Sequence, residues 1–269
     1  AELEAAKAAS DKRLAFWRSV LTELPAKLHL VFVSQYFADE VMEDVGITLP
    51  PRQYSIIHNP IDTRIFQHIP KENPQRLKIL SIRPFASAKY ANDLSVKAIL
   101  QLKEQPFFNE LEFRIIGKGI LFEELLAPLR GLDNVTIEER FLSQKEISAL
   151  HKEYGVFLNP TRMDAQGVSR DEAMASGLVP VTTDVAAIPE FVDETCGFLA
   201  PPEDAAGLAA AIEALYRDPA RFQKMSAAAA SRVRRQSGGD LIVEQELRLF
   251  AARQDQEETP GHDAGLAAR

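Results

Sequence analysis

Apolar positions along the chain fall into two kinds of stretch. From Leu77 onward short runs of strand length (LKILSI, LEFRIIG, NVTIEE, YGVFLNP and LVPVTT) alternate with segments of helical period. That alternation is the pattern of a parallel sheet whose strands are joined by crossover helices. It predicts an α/β, Rossmann-like parallel sheet over residues 74–240, with helices on both faces. Upstream, Ala1 to Leu24 reads as a charged, Ala-rich helix with an apolar stripe at Leu14, Trp17, Leu21 and Leu24. Leu28 to Val33 then reads as a strand. Ser34 stands at the N-cap of an amphipathic segment that stops at Gly46, and Gln53 to His58 is a second strand leading into the turn-like Asn59-Pro60. Residues 1–67 are therefore expected to be a partial unit, with a domain boundary near 66–76.

Local signals agree with these elements. Ser143 and Glu146 form a capping-box pair before the helix that ends near His151, and Gly177 sits where a C-cap glycine closes the helix carrying Glu172. Pro202 to Tyr216 and Pro219 to Arg235 read as helices, and Leu241 to Ala252 as a last one, with Leu241, Ile242, Leu247 and Phe250 apolar. Residues 253–269 have almost no large apolar side chain and are expected to be disordered.

Composition then removes whole classes. Hydrophobic residues at 46% and charged residues at 26% are ordinary for a globular protein. No run approaches the roughly eighteen uncharged apolar residues that a membrane span needs. A formal charge of −8 with no basic stripe speaks against nucleic acid as a partner, and leaves peripheral membrane contact through a local patch open. Cys196 is the sole cysteine, so neither an intrachain disulfide nor a Cys-rich metal site can form, which points to the cytoplasm. With no signal peptide and no initiator Met, the chain is expected to begin partway through a natural protein.

Candidate chemistry concentrates in Pro160 to Glu190, PTRMDAQGVSRDEAMASGLVPVTTDVAAIPE, where a strand ends, a Gly-containing loop follows and a helix begins. In open α/β sheets ligands bind beyond the carboxyl ends of the strands, and free N–H groups at a helix start favour phosphate oxygens. Gly167 lets the backbone approach a ligand, with the amides of Val168 and Ser169 available to it. Asp164 and Glu172 are eight residues apart, which puts Glu172 about two turns into the helix while Asp164 stays on the loop. Carboxylates so placed suit a vicinal diol such as a ribose, although a solvated or capping Glu172 fits the spacing equally well.

This stretch resembles the signature of the retaining glycosyltransferase family 4, also called glycosyltransferases group 1, whose hallmark is Glu, seven residues, then Glu. Gly167, the block Glu172-Ala173-Met174-Ala175-Ser176-Gly177, Pro180-Val181 and Ile188-Pro189-Glu190 match the family's run. Asp164 stands where the family has Glu, Ala165-Gln166 where it has Gly-Phe, and Arg170-Asp171 where apolar residues are common. SIRPFASAKYAND resembles the family's Gly-Arg-Leu, several residues, Lys-Gly segment, with Arg83 and Lys89 as the matching positions and Tyr90 in place of Gly. Ile116-Gly117-Lys118-Gly119 resembles its Gly-x-Gly, and Arg140-Phe141-Leu142 sits where the base is read. His58-Asn59-Pro60-Ile61-Asp62, with Phe66, looks like the interdomain hinge.

The resemblance implies the C-terminal, donor-binding half of a GT-B fold, preceded by a remnant of the acceptor-side domain and followed by a cross-over helix over 241–252. It implies that Glu172 holds the ribose and that Asp164 contacts the donor sugar. Arg83 and Lys89 neutralise the diphosphate, so that no metal or cofactor is called for. Gly117, Phe141 and Leu142 join Gly167, Val168 and Ser169 in the nucleotide site. The implied donor is a UDP- or GDP-sugar. The acceptor is a glycan or lipid-linked hydroxyl, bound through the domain that precedes this chain, in surface glycan synthesis at the inner face of the membrane. The fragment alone is expected to be inactive. Asp164 in the Glu position motivates a second reading, a glycosyltransferase-like module that binds nucleotide without turnover. A nicotinamide-dependent dehydrogenase is disfavoured, since SIRPF stands where Gly-x-Gly-x-x-Gly would follow the first strand of the regular domain.

Overall fold

The computed structural model describes residues 2–23 and 28–257, with side chains from Ser10 to Ala251 within that range. Helix α1 (Glu2–Thr22) and α2 (Gln35–Val45) accompany two short parallel strands, β1 (Leu30–Phe32) and β2 (Tyr54–Ile56). Ser34 is fully buried at the N-cap of α2 and accepts the Phe37 N–H, and Gly46 closes the helix with φ of 69°, a left-handed conformation that Gly adopts without penalty. Phe32, Ala38 and Leu49 form the small core beneath this pair. Trp17, expected on the apolar stripe of α1, is 50% exposed instead.

The second sheet has six parallel strands in the order β5-β4-β3-β6-β7-β8. They are β3 (Lys78–Ile82), β4 (Glu112–Gly117), β5 (Val135–Glu139), β6 (Val156–Leu158), β7 (Val179–Thr183) and β8 (Phe198–Ala200). The first five strands are those the apolar runs predict; β8 is an addition. Between and after them run α3 (Asn92–Leu102), α4 (Phe122–Leu126), α5 (Gln144–Glu153), α6 (Val168–Ala175), α7 (Ile188–Phe191), α8 (Ala205–Arg217) and α9 (Pro219–Gln236).

Alternation along the strands sends side chains into two cores. Ile79, Val156 and Leu158 pack with Leu94 and Ile99 of α3 and with Leu208 and Ile212 of α8. Leu80, Ile116 and Phe157 pack with Leu150 of α5 and Ala173 of α6 on the other face. The sheet is thus covered on both sides, as the continuous apolar runs require.

Three boundaries differ from expectation. The α6 helix begins at Val168, so Glu172 is its fifth residue and lies little more than one turn in. The α8 helix starts at Ala205, because the Asp204 carboxylate caps it by accepting the Gly207 N–H. The last helix, α10 (Gly239–Glu257), continues through the first five residues of the segment expected to be disordered, and the rest of that segment lies outside the described residues. Ile242 of α10 is buried, whereas Leu247 and Phe250 are exposed at 61% and 69%.

The segment that leads from the first sheet to the second runs beside the start of α10. Ile61 donates to the Ser237 carbonyl at 2.8 Å and accepts the Gly239 N–H at 2.9 Å, a parallel bridge between the segment after β2 and the start of α10.

Candidate active site

Strands β3, β4 and β5 progress toward one edge of the sheet and β6, β7 and β8 toward the other, so the order reverses between β3 and β6. Loops leaving the carboxyl ends of two such strands diverge and open a crevice. Arg83 directly follows β3 and the loop 159–167 follows β6, so the two stretches singled out from sequence flank this crevice.

Arg83 is 5% exposed. Its Nη2 donates to the Pro160 carbonyl at 3.3 Å, its guanidinium lies 5.2 Å from the Tyr90 ring centroid, and its Nε has no partner among the described residues. Burial lowers its pKa, the Asp164 carboxylate and Tyr90 oppose that shift, and Arg170 adds to it. Arg83 and Asp164 are therefore electrostatic neighbours across the crevice. Lys89 is exposed, with its ammonium 5.0 Å from the same Tyr90 ring. The Lys89 carbonyl accepts from Arg162 N at 2.8 Å and from the Thr161 hydroxyl at 3.1 Å, which ties the β3 loop to the β6 loop.

The β6 loop is held internally. Thr161 N donates to Thr183 Oγ1 at 2.9 Å, and Asp164 Oδ1 accepts the Gln166 N–H at 3.2 Å. Gly167 has φ of 90°, and a side chain there would meet Arg170 Nη1 at 2.7 Å. Glycine is needed both for that backbone conformation and for the guanidinium behind it, beyond the ligand approach expected from sequence. Val168 and Ser169 follow as the first residues of α6, where N–H groups have no partner within the helix. The Schellman arrangement at the far end, with Gly177 at φ of 87° and Leu178 N donating to the Ala173 carbonyl, closes the helix as expected.

Glu172 lies on α6 with its carboxyl pKa raised to about 7, first by burial and then by the Asp171 charge. No cation is paired with it among the described residues. A half-buried carboxyl with free acceptor capacity is suited to hydroxyl groups.

The remaining predicted residues also lie at the carboxyl edge. Gly117 ends β4, and a side chain there would lie 1.9 Å from the Arg83 carbonyl. The close passage of the β3 loop is by itself enough to require glycine there. Phe141 and Leu142 follow β5; Phe141 is 78% exposed and Leu142 partly buried. Arg140 is engaged by Glu138 at 2.8 Å and Glu146 at 2.7 Å. His58 packs against Phe191 at 4.9 Å between ring centroids, and its Nδ1 bonds the Val33 carbonyl at 2.7 Å. It is a packed, hydrogen-bonded histidine.

Sequence reading missed the role of the residues that break the family pattern. Arg170 is fully buried and pairs with Asp171 at 2.6 Å, and the same guanidinium lies 5.1 Å from the Phe191 ring. Gln166, 2% exposed, reaches across to the backbone of Asn59. Glu190, which matches the pattern, also has a role the sequence does not show: it accepts the N–H groups of Gln35 and Tyr36 at the start of α2. Polar residues in an apolar context are the available signal; Arg170 and Asp171 answer each other locally, while Gln166 and Glu190 find partners distant in sequence. Among the described residues, no group of three His, Cys, Asp or Glu side chains is placed to hold a metal ion, and no helix is long and apolar enough to cross a membrane.

The Rossmann-like sheet places a buried arginine and an open helix start at its switch point, an arrangement suited to anionic groups. The chain belongs to the glycosyl transferases group 1 family, whose model matches residues 76–218, just over half of it. The amylovoran biosynthesis glycosyltransferase AmsK of Erwinia amylovora is 32% identical over 168 residues, 59% of this chain and 40% of that protein. The putative colanic acid biosynthesis glycosyltransferase WcaL of Escherichia coli K12 is 30% identical over 170 residues, 60% of this chain and 41% of its own length. The chain thus spans less than half of the curated relatives it matches. Among solved structures, the sucrose-phosphate synthase of Thermosynechococcus elongatus superposes with a TM-score of 0.75 at 18% identity, covering 91% of this chain and 62% of that one. Anabaena HepE, solved with UDP and glucose, superposes with a TM-score of 0.69 at 15% identity, covering 83% and 63%. Both neighbours share the GT-B-type arrangement of parallel sheet and helices.

Proposed function

We propose that the crevice between β3 and β6 binds a nucleotide diphosphate sugar, and that the protein transfers the sugar to a hydroxyl acceptor with retention at the anomeric carbon. The observation that carries this is Arg83, a buried guanidinium with an unpartnered Nε at the switch point, facing a helix start that carries Glu172 one turn in. Arg83 and Lys89 supply positive charge to the diphosphate, which becomes more negative as the glycosidic bond breaks. Glu172 accepts the ribose hydroxyls, Asp164 meets the sugar, and the amides of Val168 and Ser169 face the phosphates. Phe141 and Leu142 lie beside the base. Residues 74–240 act as the donor-binding domain and 1–67 as the end of an acceptor-side domain, with the acceptor a glycan or lipid-linked hydroxyl.

The UDP and glucose bound to HepE support a UDP-sugar over a GDP-sugar. The amylovoran and colanic acid biosynthesis for which AmsK and WcaL are named supports a role in polysaccharide synthesis, which we assign to a surface glycan made on the cytoplasmic side of the membrane. Titration calorimetry with UDP and GDP tests the reading: one of them binds saturably, and Glu172→Ala and Arg83→Ala each abolish that binding. A folded protein that binds neither sinks it. One observation favours a second reading, a nucleotide-binding module without turnover: Asp164 spends Oδ1 on its own loop, on the Gln166 N–H. Donor turnover by a protein that binds the nucleotide decides between the two.

A further inference from the structure

Gln166 is 2% exposed, and its side chain is committed to a segment 107 residues earlier. Oε1 accepts the Asn59 N–H at 2.6 Å, and Nε2 donates to the Asn59 carbonyl at 3.2 Å and to Asp171 Oδ2 at 3.1 Å. The Gln166 backbone is equally committed: its N–H donates to Asp164 Oδ1, and its carbonyl accepts from Arg170 Nη2. Asn59 lies between β2 and Ile61, whose backbone is bonded to Ser237 and Gly239. One side chain therefore joins the segment passing between the two sheets to the loop that carries Asp164.

Gln166 is buried while Asn59 is exposed, so separating the partners leaves Asn59 to water but strands the Gln166 amide away from it. Segment 57–62 and loop 164–167 are consequently obliged to keep their relative position. An apolar side chain of equal bulk fills the same space without imposing that relation.

We propose that Gln166 is a positioning residue, setting the Asp164 loop against the donor sugar according to where segment 57–62 lies. The inference rests on the donor-site reading above and adds to it a residue that touches no substrate. Arg170 and Asp171 brace it from below.

The test uses the whole protein as its gene encodes it, with Gln166→Met keeping the volume and removing the bonds, and Gln166→Ala as a second variant. Dissociation constants are measured for UDP, GDP and a panel of UDP- and GDP-hexoses, together with amide exchange over 57–62 and the melting temperature. In both variants the nucleoside diphosphate constant stays within about twofold of the parent, while the ratio of hexose-nucleotide to nucleoside-diphosphate constants rises about tenfold or more. Exchange at the Asn59 amide accelerates by about tenfold or more. An unchanged ratio in Gln166→Met overturns the proposal, as does a parallel loss of both ligands that tracks the melting temperature. A parent that binds neither nucleotide removes the donor-site reading and this inference with it, whereas a binding parent with indifferent variants removes this inference alone.

Discussion

Glu190 holds the start of α2 by accepting the Tyr36 N–H at 2.7 Å, across 154 residues of sequence. Its second oxygen takes the Gln35 N–H at 3.0 Å, and Ser34 takes that of Phe37. An acceptor supplied from another part of the fold thus completes a helix cap, favoured by the helix dipole. Glu190→Ala is predicted to destabilise the protein by about 1 to 2 kcal/mol in urea unfolding, with faster amide exchange at Gln35 and Tyr36. Glu190→Gln retains one acceptor and recovers part of the loss. Equal stability of all three proteins contradicts the cap.

The raised carboxyl of Glu172 makes stability depend on pH. Its folded pKa of about 7 exceeds the unfolded value of 4.5, with burial the larger cause and Asp171 the lesser. Between those values the folded state holds the extra proton, so this contribution to stability is greatest below the window and falls as pH rises through it. Glu172→Gln removes the dependence and stabilises the protein by about 1 to 2 kcal/mol near pH 8, while leaving it close to the parent near pH 5. Urea midpoints of the two proteins at both pH values check this; an identical difference at each pH contradicts it.

Arg83 is a poor contributor to the free fold, being a buried cation with a single long bond. Arg83→Met is predicted to keep or raise the melting temperature while weakening nucleoside diphosphate binding by about 10- to 100-fold. Calorimetry and thermal unfolding on the same samples give both numbers. A variant that loses stability and affinity together points to a structural role instead.

Arg170 and Asp171 behave oppositely, since each neutralises the other out of contact with water. Burial raises the Asp171 pKa, and Arg170 and Gln166 counter the shift. Arg170→Met and Asp171→Asn are each predicted to cost about 3 to 5 kcal/mol, and the double variant markedly less than their sum. Additive losses in the cycle argue against direct coupling.

Periodicity made the larger sheet legible because its strands are buried on both faces and stand out as continuous apolar runs. Ser34, Gly46, Ser143 and Gly177 marked element ends for local reasons, and local chemistry is written in adjacent residues. Strand β8 escaped because three residues, Phe198 to Ala200, carry no periodicity to read. Placement of Glu172 was a turn too deep because a loop conformation at Gly167, not residue count, fixes where α6 starts. Arg170, Asp171 and Gln166 read as departures from an apolar pattern, since hydropathy is blind both to a buried pair of neighbours that neutralise each other and to the remote Asn59 that Gln166 holds. The contact of Gly117 with the Arg83 carbonyl is likewise illegible, because it joins two strand ends far apart in sequence.

The paired passage at Ile61 and Gly238 has a consequence for how this half of the molecule is inherited. The entire six-stranded sheet with its helices is an excursion that leaves and returns at one point. A segment whose two ends meet can be exchanged for a homologous one when the residues that reach out of it, Glu190 to the start of α2 and Gln166 to Asn59, are kept. The six-stranded sheet is in this sense a cassette, and swapping residues 62–237 between relatives that keep Glu190 and Gln166 exchanges it at the bridge between Ile61 and Gly238.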